Sequence, residues 1–421
     1  MRTVLLIAFH YPPCATSSGL QRSLANSIHL PDYGWRTVVL TVTPEAHQRT
    51  SDQQLRDIPV SVVVARTRAR NLSQMFAVGS RYWSRLAIPD PWRAWSWSAI
   101  PRGLALIKEH QIDAIWSTYP IATAHTIGAA LAKRTGLPWI ADFRDPMVET
   151  IASTGEVFPA DPRLRKARLQ IESLAMRHAA HAVFCTPSAQ RIVRDRYPQF
   201  PPQRLAVISN GFDEAAFAAA EQLVTGTPST GRRVLLHSGI IYPGPDRDPA
   251  ALFAALARLA AAGIVSPENF ELRLRDPSNE ASYAEMARVA GVANLVSILP
   301  PLKYHEALAE MLQADGLLLL QGYTSNPAIP AKLYEYLRAG RSIVGLVHPE
   351  GESAAALRAA GITLQCDLTD TQHIAAVLRQ WLEGLAGPTN PLPGRDYVAQ
   401  FGRAHLAGRL ASLLDQSVAG G

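Results

Sequence analysis

Residues 316–347 read GLLLLQGYTSNPAIPAKLYEYLRAGRSIVGLV. The stretch opens on a strand-length apolar run, Gly316–Leu320, and crosses a string of turn formers. It then enters a helical pattern behind Pro330 and returns to an apolar run at Ile343–Val347. Pro330 suits a first helical turn and Gly340 stops the helix. A strand, a helix and a strand in so short a stretch make a βαβ unit, whose strands run parallel and are covered on both faces.

The same alternation runs along the whole chain. Before residue 230, strands are expected near Val4–Phe9, Thr37–Val42, Val60–Ala65, Ala114–Ser117, Trp139–Phe143, Ala182–Thr186 and Leu205–Ile208. After it they are expected near Val234–His237, Leu272–Arg275, Val296–Leu299, Gly316–Leu320, Ile343–Val347 and Thr363–Gln365, with helices such as Ala250–Ala261 and Ala307–Gln313 between them. The rhythm restarts past the turn formers Thr225–Gly231. The fold class is therefore α/β, with two doubly wound Rossmann-like domains expected at 1–210 and 232–390 and a linker at 211–231. The final segment, 391–421, is expected to pack its helix back on the first domain. Sheets of this kind bind ligands beyond the carboxyl ends of their strands, so the two domains are expected to face a common cleft.

Composition narrows the classes. The chain has 421 residues, 48% hydrophobic and 18% charged, with 8 Trp, 12 Tyr and 11 Phe, which excludes disorder as its main state. No apolar run approaches the roughly 18 residues that cross a bilayer. The start, MRTVLLIAFHYPP, is interrupted by His10, Pro12 and Pro13 and reads as a strand, not a leader. Cys14, Cys185 and Cys366 are scattered and fit neither a disulfide framework nor a zinc site, which implies a reducing, cytoplasmic setting. A net charge of +6 and a pI near 9.3 favour anionic partners, including an acidic membrane surface.

No G-x-G-x-x-G follows the first strand and no P-loop occurs, which argues against a simple NAD enzyme or a P-loop NTPase. Instead the first strand leads into FHYPPCATSSGLQRS (9–23), where Ser17, Ser18 and Gly19 turn the chain into a helix whose N-terminal amides suit an anionic oxygen. An ordinary βα loop needs the same small residues. In the second half, Lys332, Glu335 and Tyr336 lie three or four apart on one helix side. There a carboxylate can accept both hydroxyl protons of a ribose while the lysine faces a diphosphate; a solvated Lys–Glu pair has the same spacing. Asp142, Arg144 and Asp145 end a strand, where an arginine between two acids either positions sugar hydroxyls or makes a buried salt-bridge corner. His10 and His237 also end strands, and His10 is the histidine singled out for test. Asp246-Arg247-Asp248 mimics a metal-binding D-x-D, but Asp248 before Pro249 reads as a helix cap, so no metal is expected.

Taken together, FHYPP with SSGLQRS, WIADFRDP (139–146), VISNGFD (207–213), HSGIIYPG (237–244) and IPAKLYEYLRAGRSIVGL (329–346) resemble the GT-B glycosyltransferases of family 4, in family order and over nearly the whole chain. The likeness is greatest to the bacterial branch that makes surface polysaccharides or glycosylates lipid-linked sugars. The resemblance implies a retaining transferase that moves a hexose-type unit from a nucleoside diphosphate sugar to a hydroxyl acceptor, lipid-linked or polysaccharide. It implies no other cofactor and no nucleic acid partner. Glu335 matches the glutamate that grips the donor ribose, and Gly19 the glycine whose amide approaches the diphosphate. Gly239 matches the strand-end glycine of the donor site. Two positions depart from the family pattern: Pro327 stands where a further glutamate is common, and Ile240 follows Gly239 where an arginine is common, leaving Arg247 as the nearest basic candidate. Arg144 resembles the R-D-x-W variant.

Two rival readings accompany this one, a sugar-nucleotide 2-epimerase of the same fold and an inactive partner subunit. A Trp- and Arg-rich segment (Arg81, Tyr82, Trp83, Arg85, Trp92, Arg93, Trp95, Trp97, Arg102) suits packing on the first domain, contact with the inner face of a membrane or stacking on nucleic acid bases, and the basic helix Arg163–Arg177 reads as a solvated face or a membrane-contact face.

Overall fold

A computed structural model of the chain describes residues 1–14, 19–75, 87–151, 154–224, 231–384 and 392–420. Contacts divide the chain into two compact units, Met1–Asn210 together with Arg403–Gly421, and Gly211–Gly402.

The first unit is built on a seven-stranded parallel sheet. Its strands are β1 (Arg2–Ala8), β2 (Trp35–Val42), β3 (Val63–Thr67), β4 (Ala114–Thr118), β5 (Trp139–Arg144), β8 (His181–Phe184) and β9 (Leu205–Val207), in the order β3-β2-β1-β4-β5-β8-β9. Period-two alternation sorts β1 onto two cores. Leu5 and Ile7 pack with helices α3 (Trp95–His110), α4 (Thr123–Thr135), α5 (Pro162–His178) and α6 (Pro187–Arg196). Val4, Leu6 and Ala8 pack with α1 (Gly19–His29) and with α15 (Arg403–Ala419), which comes from the far end of the chain. A short helix, α2 (Leu72–Met75), follows β3. The antiparallel pair β6 (Glu149–Thr150) and β7 (Val157–Phe158) follows β5; two residues per strand give no alternation to read.

The second unit carries six parallel strands, β10 (Arg233–Ser238), β11 (Phe270–Arg275), β12 (Val296–Leu299), β13 (Gly316–Gln321), β14 (Ser342–Val347) and β15 (Gln365–Cys366), in the order β12-β11-β10-β13-β14-β15. The apolar run that opens the quoted stretch is β13, buried at every residue. Leu318 and Leu320 face α8 (Ala250–Ala261), α9 (Glu280–Val289) and α13 (Thr371–Gly384). Leu317 and Leu319 face α7 (Glu214–Glu221), α10 (Tyr304–Gln313), α11 (Ala331–Ala339) and α12 (Glu352–Ala359). Each such leucine adds about 1.5–3 kcal/mol by burial. The helix after it, α11, ends at Gly340, which takes φ +64°.

In both sheets the strand order reverses about the first strand of the unit, between β1 and β4 and between β10 and β13. Those two switch points are where the carboxyl ends of an open α/β sheet leave room for a ligand.

Two boundaries differ from the sequence reading. The expected linker, 211–231, holds α7, capped by Asp213 Oδ1 accepting from Ala216 N at 3.1 Å; Phe217 is fully buried against the core shared with α10. Alanine-rich composition hides a packed helix there, and 225–230 lie outside the described residues. The segment 391–421 is also two elements: α14 (Arg395–Ala399) belongs to the second unit and α15 to the first, with Gly402 between them. Asp415 holds α15 in place by accepting from Arg2 Nη1 at 2.8 Å and Trp35 Nε1 at 3.1 Å.

At Gly316 a Cβ would stand 2.6 Å from the ring of fully buried Trp381. Gly316→Ala is therefore expected to destabilise the second unit by about 1–3 kcal/mol, read as a lowered urea midpoint at unchanged slope.

Candidate functional site

In the first unit the site forms at the carboxyl ends of β1, β4 and β5. Arg22, in the first turn of α1, donates from Nε to Asp142 Oδ2 at 2.9 Å and from Nη2 to Asp142 Oδ1 at 3.1 Å. Its Nη1 reaches the carbonyls of Ile208 (3.1 Å) and Ser209 (2.9 Å). Thr118 Oγ1 donates to Asp142 Oδ2 at 3.1 Å. The side chains of Arg22 and Asp142 are 9% and 0% exposed, so the pair is a buried ion pair. Sequence reading grouped Asp142 with Arg144; the arginine that holds it comes from 120 residues upstream.

Arg144 has a different task. The ladder between β5 and β8 slips between Asp142 and Arg144, and Arg144 takes φ +63°, a left-handed conformation costly for a residue with a Cβ. That bend aims its guanidinium across the strand ends, where Nη1 donates to Tyr119 O at 3.2 Å and Nε is buried with no partner. A narrow crevice is lined by His10, Gly19, Ser23, Thr118, Tyr119 and Arg144. His10 is held neutral: burial, then His47 and Arg144, push it down to about 4. Its Nδ1 is buried without a partner. Ser18 lies outside the described residues.

Two acids follow Arg144. Asp145 is pushed up, first by burial and then by Asp142, with Arg144 and Arg22 opposing. Glu149, on β6, is raised to about 7 by burial and by Asp145. Sequence reading missed Glu149; its one signal is a third acid soon after a strand end already carrying two.

In the second unit the site forms at the carboxyl ends of β10 and β13 and the start of α11. His237 donates from Nδ1 to Leu318 O at 3.0 Å, which leaves Nε2 to accept from Lys332 Nζ at 3.0 Å. Burial, then Lys332, drive His237 well below its ordinary value, so the imidazole is neutral. Lys332 in turn is lowered to about 7 by burial and by Arg247. Gly239 takes φ +98°, and a Cβ there would stand 3.4 Å from Lys332 Nζ, so the strand end is built for glycine. Arg247 donates from Nη1 to Ile240 O at 3.0 Å, lies over the Tyr242 ring at 4.9 Å and has Asp246 at 3.6 Å. The guanidinium thus reaches the backbone at Ile240.

Lys332 and Glu335 share a helix side but reach different groups. Glu335 Oε1 accepts from Tyr304 Oη at 2.9 Å, while Tyr336 Oη accepts from Ser238 N at 3.0 Å and pins α11 to the end of β10. Pro327 sits in a loop braced by Gln321, whose Nε2 donates to Ser325 O at 2.9 Å and Ala328 O at 3.0 Å. Asp248 Oδ1 accepts from Ala250 N at 2.9 Å, a turn at the start of α8. Among the described residues no group of three His, Cys, Asp or Glu could hold a metal.

The aromatic segment divides. Trp95 is fully buried and donates to Thr67 Oγ1 at 2.9 Å, Trp92 packs on Phe9 at 4.9 Å, and Trp97 is 76% exposed. Arg102 is paired with Glu109 at 2.9 Å, whereas Arg81, Tyr82, Trp83 and Arg85 lie outside the described residues.

Residues 23–211 match a family described as Glycosyl transferase 4-like domain. Among solved structures, sucrose-phosphate synthase (tll1590) from Thermosynechococcus elongatus aligns with a TM-score of 0.68 at 14% identity over 100% of both chains. Anabaena Alr3699/HepE in complex with UDP and glucose aligns at 0.62 and 16% identity, over 99% of this chain and 100% of that one. WaaG, a glycosyltransferase involved in lipopolysaccharide biosynthesis, aligns at 0.59 and 14% identity over 98% of each. No curated protein matches the chain.

Removing Arg22 leaves the buried Asp142 carboxylate without its ion-pair partner. Arg22→Leu is expected to cost the first unit about 3–5 kcal/mol, measured by urea unfolding. Glu149 binds its proton more tightly folded than unfolded, so its ionisation subtracts from stability as pH rises from the ordinary carboxylate range through about 7. Glu149→Gln is expected to gain on the parent in Tm progressively across that window, and a constant difference would remove the assignment.

Proposed function

We propose that this glycosyltransferase of the GT-B kind, whose residues 23–211 match the glycosyl transferase 4-like family, moves a sugar from a nucleoside diphosphate sugar to a hydroxyl acceptor with retention of configuration. The observation that carries the donor half is the cation cluster at the β10/β13 switch point. Lys332 gives its ammonium to a neutral imidazole, and the neighbouring Arg247 lowers its proton affinity further. Two cations repelling each other at a partly buried strand end are stabilised by an anion between them, and a diphosphate supplies one. A protein of the same fold, Anabaena Alr3699/HepE, has been crystallised with UDP-glucose, which supports that donor class.

On this reading Glu335, steadied by Tyr304, accepts the ribose hydroxyl protons. The donor's glycosidic bond to phosphate breaks, and negative charge grows on the leaving diphosphate, which Lys332 and Arg247 stabilise more than they stabilise the ground state. The leaving phosphate oxygen takes the acceptor's hydroxyl proton as the new glycosidic bond forms on the same face, so no dedicated acid/base pair is needed. Charge from these side chains takes the place a metal holds in other transferases. The acceptor, lipid-linked or a growing polysaccharide, is assigned to the first unit, beside Arg144 and neutral His10. Scattered, buried cysteines at 14, 185 and 366 suit a cytoplasmic setting.

A thermal-shift panel of UDP-, GDP-, TDP- and ADP-sugars tests the donor assignment. One of them is expected to raise the Tm of the parent in proportion to ln(1 + [L]/Kd), and Glu335→Ala to lose the shift while keeping its unliganded Tm. A full shift in Glu335→Ala takes that residue out of the ribose site, and slow release of free sugar separates an enzyme from an inactive binder. Because Lys332 gives up its proton near pH 7, affinity for the nucleoside diphosphate is expected to fall as pH rises from about 6 to about 8. Lys332→Met is expected to bind more weakly throughout and to lack that slope, as measured by calorimetry.

A further inference from the structure

In the second unit, the loops that follow β10 and β13 are fastened to each other through one aspartate. Gly322 N donates to Asp246 O at 2.5 Å, and a Cβ on Gly322 would stand 2.6 Å from Pro245 O, so glycine is what lets the two backbones come this close. Thr324 Oγ1 donates to Asp246 Oδ1 at 2.9 Å. Gln321 braces the turn that carries Thr324 by donating to Ser325 O and Ala328 O, so the hydroxyl is presented from a fixed place.

The other carboxylate oxygen faces Arg247 and stops short of it. Asp246 Oδ2 stands 3.6 Å from Arg247 Nε, beyond hydrogen-bond range, and Nε is buried with no hydrogen-bond partner. The two side chains are 14% (Arg247) and 19% (Asp246) exposed. A carboxylate and a guanidinium so placed gain a charge-assisted hydrogen bond by closing on each other, and leaving a buried N–H bare costs free energy. Here the carboxylate is bonded on its far side to Thr324, while Arg247 is spread between Ile240 O and the Tyr242 ring.

We propose that Thr324 is a positioning residue of the donor site: by holding Asp246 Oδ1 it keeps that carboxylate from closing on Arg247, and so leaves the guanidinium charge to the diphosphate of the donor. The inference rests on the donor site proposed above and deepens it. An Asp246 free to close would neutralise Arg247 from within the chain and compete with the phosphate oxygens for it. A hydroxyl is suited to the task because it occupies one carboxylate oxygen without adding a charge of its own.

Calorimetry with UDP, GDP, TDP and ADP tests it, the diphosphate that binds the parent serving as probe. Thr324→Val, or Thr324→Ala where valine does not fold, is expected to bind that diphosphate roughly tenfold more weakly, and Thr324→Ser, which keeps the hydroxyl, to bind as the parent does. Asp246→Asn keeps the acceptor oxygen and drops the charge, so Thr324→Val in that background is expected to cost about twofold or less. The pH dependence supplies a readout that loosened packing alone does not move. Arg247 helps to lower Lys332, and a closed Asp246 would weaken that push. With His237, Glu335 and Asp276 left in place around Lys332, affinity in Thr324→Val is therefore expected to fall at higher pH than in the parent. Where Arg247→Ala binds weakly, four results each overturn the inference: parental affinity in Thr324→Val, a loss shared by Thr324→Ser, the same loss in the Asp246→Asn background, or an unmoved pH profile. Parental affinity in Arg247→Ala, or no binding of any of these diphosphates, overturns the donor reading itself and the inference with it.

Discussion

A guanidinium taken out of water must have its donors met inside the protein, and Arg22 meets them with both oxygens of Asp142 and the carbonyls of Ile208 and Ser209. One side chain thereby ties the start of α1 to the end of β5 and to the chain just past β9. Through Thr118 the same carboxylate holds the end of β4. The mouth of the first sheet is registered by this one network, and the crevice residues Gly19, Tyr119 and Arg144 take their places from it. Low local dielectric makes such a network strong when complete and costly when any member is lost.

The second unit solves the same positioning problem with neutral groups. Tyr336 fastens α11 to Ser238, and a neutral His237 spans Leu318 and Lys332. The electrostatic outcome is opposite. At the first switch point the buried arginine is answered by a buried carboxylate; at the second, Lys332 and Arg247 act on each other beside an imidazole that bears no charge. The first arrangement is self-sufficient, and the second, on the proposed reading, takes an anion from outside.

What could be read from the sequence was what repeats. The strands of both sheets follow from runs such as Leu317–Leu320, whose alternate residues serve two cores, because burial on both faces leaves an unbroken apolar signature. The placing of Lys332, Glu335 and Tyr336 on one helix was legible because helical spacing is local. Partners were not. The pairing of Asp142 with Arg22 joins residues far apart in sequence, and the nearest arginine in the chain, Arg144, is turned elsewhere by a positive φ. Glu149 carries no motif, and its raised proton affinity comes from burial created by the fold. The tryptophans of α3 drew attention by composition, whereas Trp95 is a core residue. In α7, alanine concealed a packed helix because burial there rests on Phe217 and small side chains fitting closely.

The first unit is discontinuous along the chain, and this has a consequence for its birth on the ribosome. Leu406, Leu410, Ala411 and Leu414 of α15 cover Val4, Leu6, Trp35 and Ile140, yet residues 211–402 must be translated before α15 exists. At ordinary elongation rates that interval is roughly 10–40 s. Throughout it the nascent first sheet shows one greasy flank to the cell, a window in which a holdase chaperone has something to grip and after which it has nothing.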